Sequence, residues 1–443
     1  LNNVTLMVAQ VLEQLHGSQS LAGTITRLAE LRFVHVLGIG MILVWALSPL
    51  GGQSALRLLS IVPSSEFDQQ QVSYAQIANG SSIWLSGSDN GEVQPAVTAL
   101  FSAALLGAEQ NTNETEDLWG NPKIPFFDEL PEDEGPDGWR TVKNGTVPRY
   151  SSLIGVRLQG LCDDCKMTLP LETSYQTLSC KNVKYGLAPN ETMPFLGYPW
   201  TGWLGNMSDP FAGSPYPGAQ IRPATFFIGC NSYLSDQKPH PAEPVSLLYT
   251  TAVFPFGEDG VQKRASSVYN CTLETRRVEA EVACEGKSCK VNRMRKSTID
   301  PRPTNWTPWH GDTIGFRALA QFFPFAAGYT DQELQQANPT DNFIFGESQP
   351  YNYTRFPVRN STSDEYVSRR LTLALNTVYQ ASMMPFSVAN GNAYKPLKCK
   401  PGDGEQLLDD RTWTFVDDCN DMNFTTATTE RTFEVYKANM VWI

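Results

Sequence analysis

Residues 278–296 read VEAEVACEGKSCKVNRMRK. Val278, Ala280 and Val282 alternate with Glu279, Glu281 and Ala283, the period-two pattern of a strand with one dry face and one wet face. Cys284-Glu-Gly-Lys-Ser-Cys289 is a hairpin-sized connection. Lys290-Val-Asn-Arg-Met-Arg-Lys296 is then a basic strand able to pair opposite the acidic one. The two cysteines flank the turn, so a Cys284–Cys289 disulfide is expected. The stretch points to a β-rich, disulfide-containing fold.

Upstream the same character continues. Leu153–Leu158, Ala224–Ile228 and Ser246–Phe254 are short apolar runs punctuated by turn residues. Between them, Pro194–Gly218 is rich in Pro, Gly and aromatics, including Trp200 and Trp203. Such rings can stack on sugars, but more often they wedge a long loop against its domain. Phe126–Trp139 holds six acids and reads as a solvated acidic loop rather than a calcium loop. Downstream, Ile299-Asp-Pro-Arg-Pro-Thr304 breaks all periodicity and marks an internal boundary. The Thr-rich run Arg411–Val435 is again β-prone. Helical spacing recurs at residues 92–110, 316–336 and 363–383. The last opens on Ser363, Asp364 and Glu365 as a cap and carries Val367, Leu371, Leu375 and Val378 on one face.

The N-terminal region differs. Leu1, Val4, Val8, Val11 and Leu15 form one helical stripe, and a second helical pattern covers Leu21–Arg32. Phe33–Leu50 has no Asp, Glu, Lys or Arg over 18 residues, close to the ~20 that a spanning helix needs. His35 and Trp45 sit near its ends and Pro49-Leu-Gly-Gly52 stops it. These residues are expected to contact membrane lipid. The apolar end Val441-Trp-Ile443 reads as the approach to a further span. The expected fold class is therefore α+β: a β-rich disulfide-containing ectodomain with inserted helices, preceded by N-terminal helices that include one transmembrane candidate. The expected segments are 1–62 (helices, span near 33–50), 63–300 (β-rich) and 301–443 (mixed).

Of the 443 residues, 18% are charged, and 46 acids against 34 bases give a net charge of −12. That balance argues against binding a phosphate backbone, so no nucleic acid is expected. Eleven Asn-x-Ser/Thr acceptors occur: Asn3, Asn79, Asn113, Asn144, Asn190, Asn206, Asn270, Asn305, Asn352, Asn360 and Asn423. Chance placement gives roughly three or four. The ten beyond Asn3 are expected to carry glycans on an extracellular or lumenal segment. All nine cysteines lie after residue 161. Cys162-Asp-Asp-Cys165 has redox or zinc spacing, but the four scattered histidines supply no further ligands, and structural disulfides are the favoured reading. Six cysteines alone allow fifteen connectivities, so only the near neighbours Cys284–Cys289 and Cys399–Cys419 are assigned.

Trp45-Ala-Leu-Ser-Pro-Leu-Gly-Gly-Gln53 resembles a string in a group of fungal multi-pass membrane proteins of unknown function. Asn270-Cys-Thr, Val278–Cys284, Arg293–Ser297, and Leu171–Tyr175 with Leu178–Cys180 are similar to the same group. The resemblance implies a membrane helix followed by a large glycosylated external segment, and it brings no activity.

No Gly-rich phosphate loop, HExxH or GxSxG is present, and His240 and His310 read as loop residues. No catalytic residue, cofactor or metal is assigned. Two functions are expected in order: a non-catalytic binding, sensing or assembly module with glycans or other surface proteins as partners, then a wall- or glycan-active hydrolase using paired carboxylates.

Overall fold

The computed structural model describes residues 59–75, 90–132, 137–143, 148–187, 226–228, 245–253, 259–260, 265–307, 339–345, 362–383 and 422–438, with Gly40, Leu43 and Leu47. Nine strands form one antiparallel sheet: β1 (Leu59–Ala75), β2 (Arg140–Thr141), β3 (Leu158–Gln159), β4 (Lys166–Leu187), β5 (Phe226–Ile228), β6 (Val245–Val253), β7 (Ala265–Glu285), β8 (Ser288–Lys296) and β9 (Met422–Ala438). Their order is β2-β8-β7-β4-β9-β1-β3, with β6 on the far half of β7 and β5 beside it. The described α-helices are α1 (Asn90–Leu106), α2 (Ala108–Asn111), α3 (Pro339–Ile344) and α4 (Asp364–Met383). The chain divides into two compact units, Phe67–Glu430 and Leu1–Glu66 with Arg431–Ile443; β1 and β9 run through both.

The expected fold class is corrected here. Among the described residues no helix is long and apolar enough to cross a membrane. Of Phe33–Leu50 only Gly40, Leu43 and Leu47 are described; they are helical, and the remainder of the expected span lies outside the described residues. The described chain is an antiparallel sheet with a few helices packed on it, rather than a β domain behind N-terminal helices with a transmembrane span.

The β4–β7 pair is the spine. Lys166 faces Glu285 at one end and Leu187 faces Ser266 at the other, with irregular register only beyond Asn182. Side chains alternate across a sheet, so the buried positions report which face is covered. On β4 the buried apolar residues are Met167, Leu169, Leu171 and Tyr175, then Leu178 and Cys180. On β7 they are Ala265, Val268, Tyr269, Cys271 and Leu273, then Val278, Ala280, Val282 and Cys284. The parity changes in mid-strand on both. The sheet is thus covered on opposite faces at its two ends. One end packs under Ile124, Phe126, Phe127, Leu130 and Val156, and the other under Phe101, Leu105, Phe343, Leu371 and Leu375.

Helix α4 does a second job. Asn182, Cys180, Leu178 and Gln176 N–H groups on β4 donate to Asp364 Oδ1, Ser368 Oγ, Thr372 Oγ1 and Asn376 Oδ1 at 3.3, 2.8, 2.9 and 2.9 Å. Four helix residues rise about 6 Å, and two strand residues rise about 6.7 Å. A polar stripe spaced by four therefore matches alternate amides of a strand and closes its edge without a neighbouring strand. Ser363 Oγ accepts from Tyr366 N at 3.2 Å, as the cap reading requires.

Residues 153–158, expected as a strand, form buried bends instead, and only Leu158–Gln159 pairs as strand. Two of their amides are taken by distant side chains, Leu153 N donating to Thr377 Oγ1 at 3.0 Å and Gly155 N to Asp117 Oδ2 at 2.8 Å, and Val156 N donates to the Pro122 carbonyl at 2.9 Å. A Cβ on Gly155 would lie 2.2 Å from Asn121 O, so the close approach demands glycine.

Candidate binding surface

Where β4, β7 and β8 leave one face uncovered, their wet positions line up. Register places Glu172 opposite Glu279, Glu279 opposite Arg295, and Glu281 opposite Arg293. Arg295 pairs with Glu279 at 2.5 Å and Arg293 with Glu281 at 2.6 Å. Both guanidinium groups lie over the Trp139 ring, 4.6 Å from its centroid for Arg293 and 4.7 Å for Arg295. At the rim, Asp300 binds Arg277 at 2.8 Å and Arg302 at 2.5 Å, and the Arg302 hydrogen bond holds the Asp300 carboxyl below its ordinary range. The acidic and basic strands expected from the sequence thus meet through real ion pairs, and the aromatic ring among them comes from outside the hairpin.

Glu172 is the exception. Its Oε1 is buried without a hydrogen-bond partner, and its backbone N–H donates to Tyr74 Oη at 3.2 Å. Burial pushes its carboxyl above the ordinary value of 4.5; the neighbouring Glu279 and Asp300 add to this, and the Ser297 hydroxyl and Arg295 oppose it. Like charges directly opposite across a ladder are destabilising. The folded chain therefore holds the Glu172 proton more tightly than the unfolded chain, and stability falls as pH rises from 4.5 through the raised value. Glu172→Gln is expected to raise stability at pH 7 by about 0.2–1 kcal/mol and to leave it unchanged near pH 4. Urea unfolding at the two pH values checks this.

Glu172 and Glu279, opposite each other in register, are also the carboxylate pair to which a glycoside hydrolase reading would look. Glu279, however, is committed to Arg295. A cavity of about 10 Å³, room for one water, is lined by Ser151, Ser152, Thr173, Ser174, Asn376, Gln380 and apolar neighbours, with no carboxylate among them. Among the described residues no cluster of His, Cys, Asp and Glu could hold a metal ion.

The remaining sequence-based sites fall as follows. Cys284 and Cys289 are bonded across the β7–β8 turn, where Gly286 takes φ +61°. Cys162–Cys165 and Cys180–Cys271 are also disulfides, the second joining β4 to β7. Cys399 and Cys419 lie outside the described residues, as do Asn79, Asn144, Asn190, Asn206, Asn352, Asn360, Trp200, Trp203, His240 and His310. Asn113 and Asn270 are exposed, Asn305 and Asn423 half-buried, and Asn423 Nδ2 donates to Tyr74 Oη at 3.4 Å.

The acidic loop is not simply solvated. Phe126, Phe127 and Leu130 are buried, while Asp128 binds Arg276, Glu129 binds Arg149 and Glu132 binds Arg140 at 2.5–2.7 Å. Sequence reading weighed its six acids and passed over the apolar residues between them, which seat it on the sheet.

Behind this strap sits a buried polar knot that no motif announced. Asp117 accepts from Trp119 N, Asn121 N and Gly155 N at 2.8–2.9 Å and from Asn121 Nδ2. Burial pushes its carboxyl up, and these donors pull it down. Lys123, fully buried, donates to Asn111 O and lies 4.3 Å from the Tyr150 ring centroid; burial lowers its ammonium to about 8, against the opposing charges of Asp117 and Glu114. The knot ties residues 111–123 to the 153–158 bends, a structural duty. No protein-family model, no curated protein and no solved structure matches this chain.

Proposed function

We propose that the chain is an extracellular or lumenal glycoprotein acting as a non-catalytic binding module through the Trp139 face. The observation that carries this reading is the Arg293–Trp139–Arg295 stack with its acids Glu279 and Glu281 held in ion pairs. Two guanidinium groups held on the Trp139 ring, beside the carboxylates Glu279 and Glu281, form a fixed array of hydrogen-bonding groups suited to a polar partner such as a glycan. The compartment reading is supported by three disulfides among the described residues, bonds that persist in oxidising surroundings. The resemblance at residues 45–53 points to the same side of a membrane and adds no chemistry.

The test is binding of the full chain to arrayed glycans and wall polymers, with Trp139→Ala as comparison. Loss of the ring is expected to weaken binding at least tenfold, about 1.4 kcal/mol. Equal binding by wild type and variant would move the site elsewhere. Turnover of a glycan that is abolished by either Glu172→Gln or Glu279→Gln would replace the binding reading with the hydrolase one, which the opposed carboxylates keep in view.

A further inference from the structure

The face that carries the Trp139 stack continues across the sheet. Its inward counterparts are all buried: Met167 and Leu169 on β4, Val282 and Cys284 on β7, Cys289 and Val291 on β8, Ala427 and Thr429 on β9. Alternation turns their neighbours outward, and register sets these in rows perpendicular to the strands. The middle row is Lys290, Ala283, Thr168 and Thr428. On one side of it stand Ser288, Glu285, Lys166 and Glu430, and on the other Arg293, Glu281 and Pro170. None of these residues is buried, and Thr168, Pro170 and Thr428 are fully in the exposed class. Over β7, β4 and β9 the middle row is low, because Ala283, Thr168 and Thr428 are short. The longer Glu285, Lys166 and Glu430 rise beside it, with Glu281 and Arg293 opposite. A shallow trough therefore crosses the strands and opens toward Lys290 and the Arg293–Trp139–Arg295 stack.

We propose that this trough seats a linear, neutral glycan that runs across the strands from Thr428 to the Trp139 stack. The proposal rests on the Trp139 reading above and adds the shape and charge of the ligand. Strands stand about 4.8 Å apart, close to the advance of one extended pyranose unit, so successive units meet equivalent positions on β9, β4, β7 and β8. The floor gives methyl groups for the C–H face of a ring and threonine hydroxyls for its polar edge, and the walls give both donors and acceptors. The walls are balanced in charge. Glu285 and Glu430 flank Lys166 in register, Glu281 binds Arg293 and Glu279 binds Arg295. Lys166, Lys290, Arg293 and Arg295 thus stand against Glu279, Glu281, Glu285 and Glu430, and burial favours the neutral form of Glu172 at the end of the face. Such a face has no excess of positive charge to draw a uronate or sulfated chain.

The full chain is titrated calorimetrically with glucose and N-acetylglucosamine oligomers, from single sugars to hexamers, and with galacturonate oligomers of the same lengths. For a neutral series, affinity is expected to rise with each unit up to the tetramer and then level off, as four strands are filled, and to stay unchanged as salt is raised. This length series needs no substitution. Thr168→Val with Thr428→Val keeps the β-branched shape and removes two outward hydroxyls. It is expected to weaken the tetramer about tenfold with the urea midpoint unchanged. Binding that Trp139→Ala weakens and the threonine double variant does not, or affinity that stops rising after the first unit, overturns the trough and leaves the Trp139 reading standing. Tighter, salt-sensitive binding of the galacturonate series overturns the neutral ligand. Failure of the wild-type chain to bind any of these oligomers overturns the proposal, while the wider array with Trp139→Ala decides the Trp139 reading by itself.

Discussion

Cys180→Ala with Cys271→Ala is expected to lower the unfolding free energy by about 4 kcal/mol, the largest effect among the three described disulfides. The bond joins residues 91 apart in sequence, so in the unfolded chain it closes a long loop. Chain-entropy reasoning assigns a loop of that size about 4–5 kcal/mol and a five-residue closure such as Cys284–Cys289 about 2 kcal/mol. Both ends of the long bond sit in the apolar cluster with Leu178 and Leu273, so alanine leaves only a small void. The control is Cys284→Ala with Cys289→Ala, whose hairpin keeps its Glu281–Arg293 pair and its Gly286 turn. Urea midpoints of the two double variants against wild type measure the difference. Equal losses would show that β4 and β7 stay associated in the unfolded chain without the bond.

That bond also shows where sequence reading stops. Cys284 and Cys289 bracket a turn, so local spacing names them as partners. Cys180 and Cys271 meet only because two strands more than twenty residues long pair across an insertion of some eighty residues, and no local pattern encodes that register. The same division runs through the surface. Glu279 and Glu281 against Arg293 and Arg295 were readable as complementary strands. Glu172 was not, since its place opposite Glu279 depends on β4 lying on the other side of β7. In α4 the apolar stripe announced a helix and the cap announced its start. The polar stripe Asp364, Ser368, Thr372 and Asn376 is equally regular in the sequence, but its meaning as an edge for β4 appears only once the helix and the strand lie side by side. The strand expected over 153–158 failed for a related reason: its apolar residues are buried as expected, yet Asp117 and Thr377 take amides that a ladder would have used.

Asp117→Ala is accordingly expected to cost about 3–5 kcal/mol, the range for breaking a buried charged network from one side. Every partner of Asp117 is a donor, the pattern of a carboxylate. Alanine strands the amides of Asn121 and Gly155 in the interior, each worth about 1–3 kcal/mol if water cannot reach it. It also leaves Lys123, whose ammonium Asp117 helps to keep charged, without that balancing charge. Asp117→Asn separates the two contributions. Its carbonyl can still serve Trp119 N and Asn121 N, but its NH2 then faces Gly155 N, donor against donor, and Lys123 again loses the charge. A cost about half that of alanine is expected for asparagine. Gly155 has little room to shift on that side, because even a Cβ there would lie 2.2 Å from Asn121 O and 2.6 Å from Pro122 O. Urea unfolding of wild type and both variants, followed by tryptophan fluorescence, tests the order. If asparagine matches wild type, the Gly155 bond is not what holds the bends in place. If asparagine costs as much as alanine, the negative charge beside Lys123, rather than hydrogen-bond geometry, carries the knot.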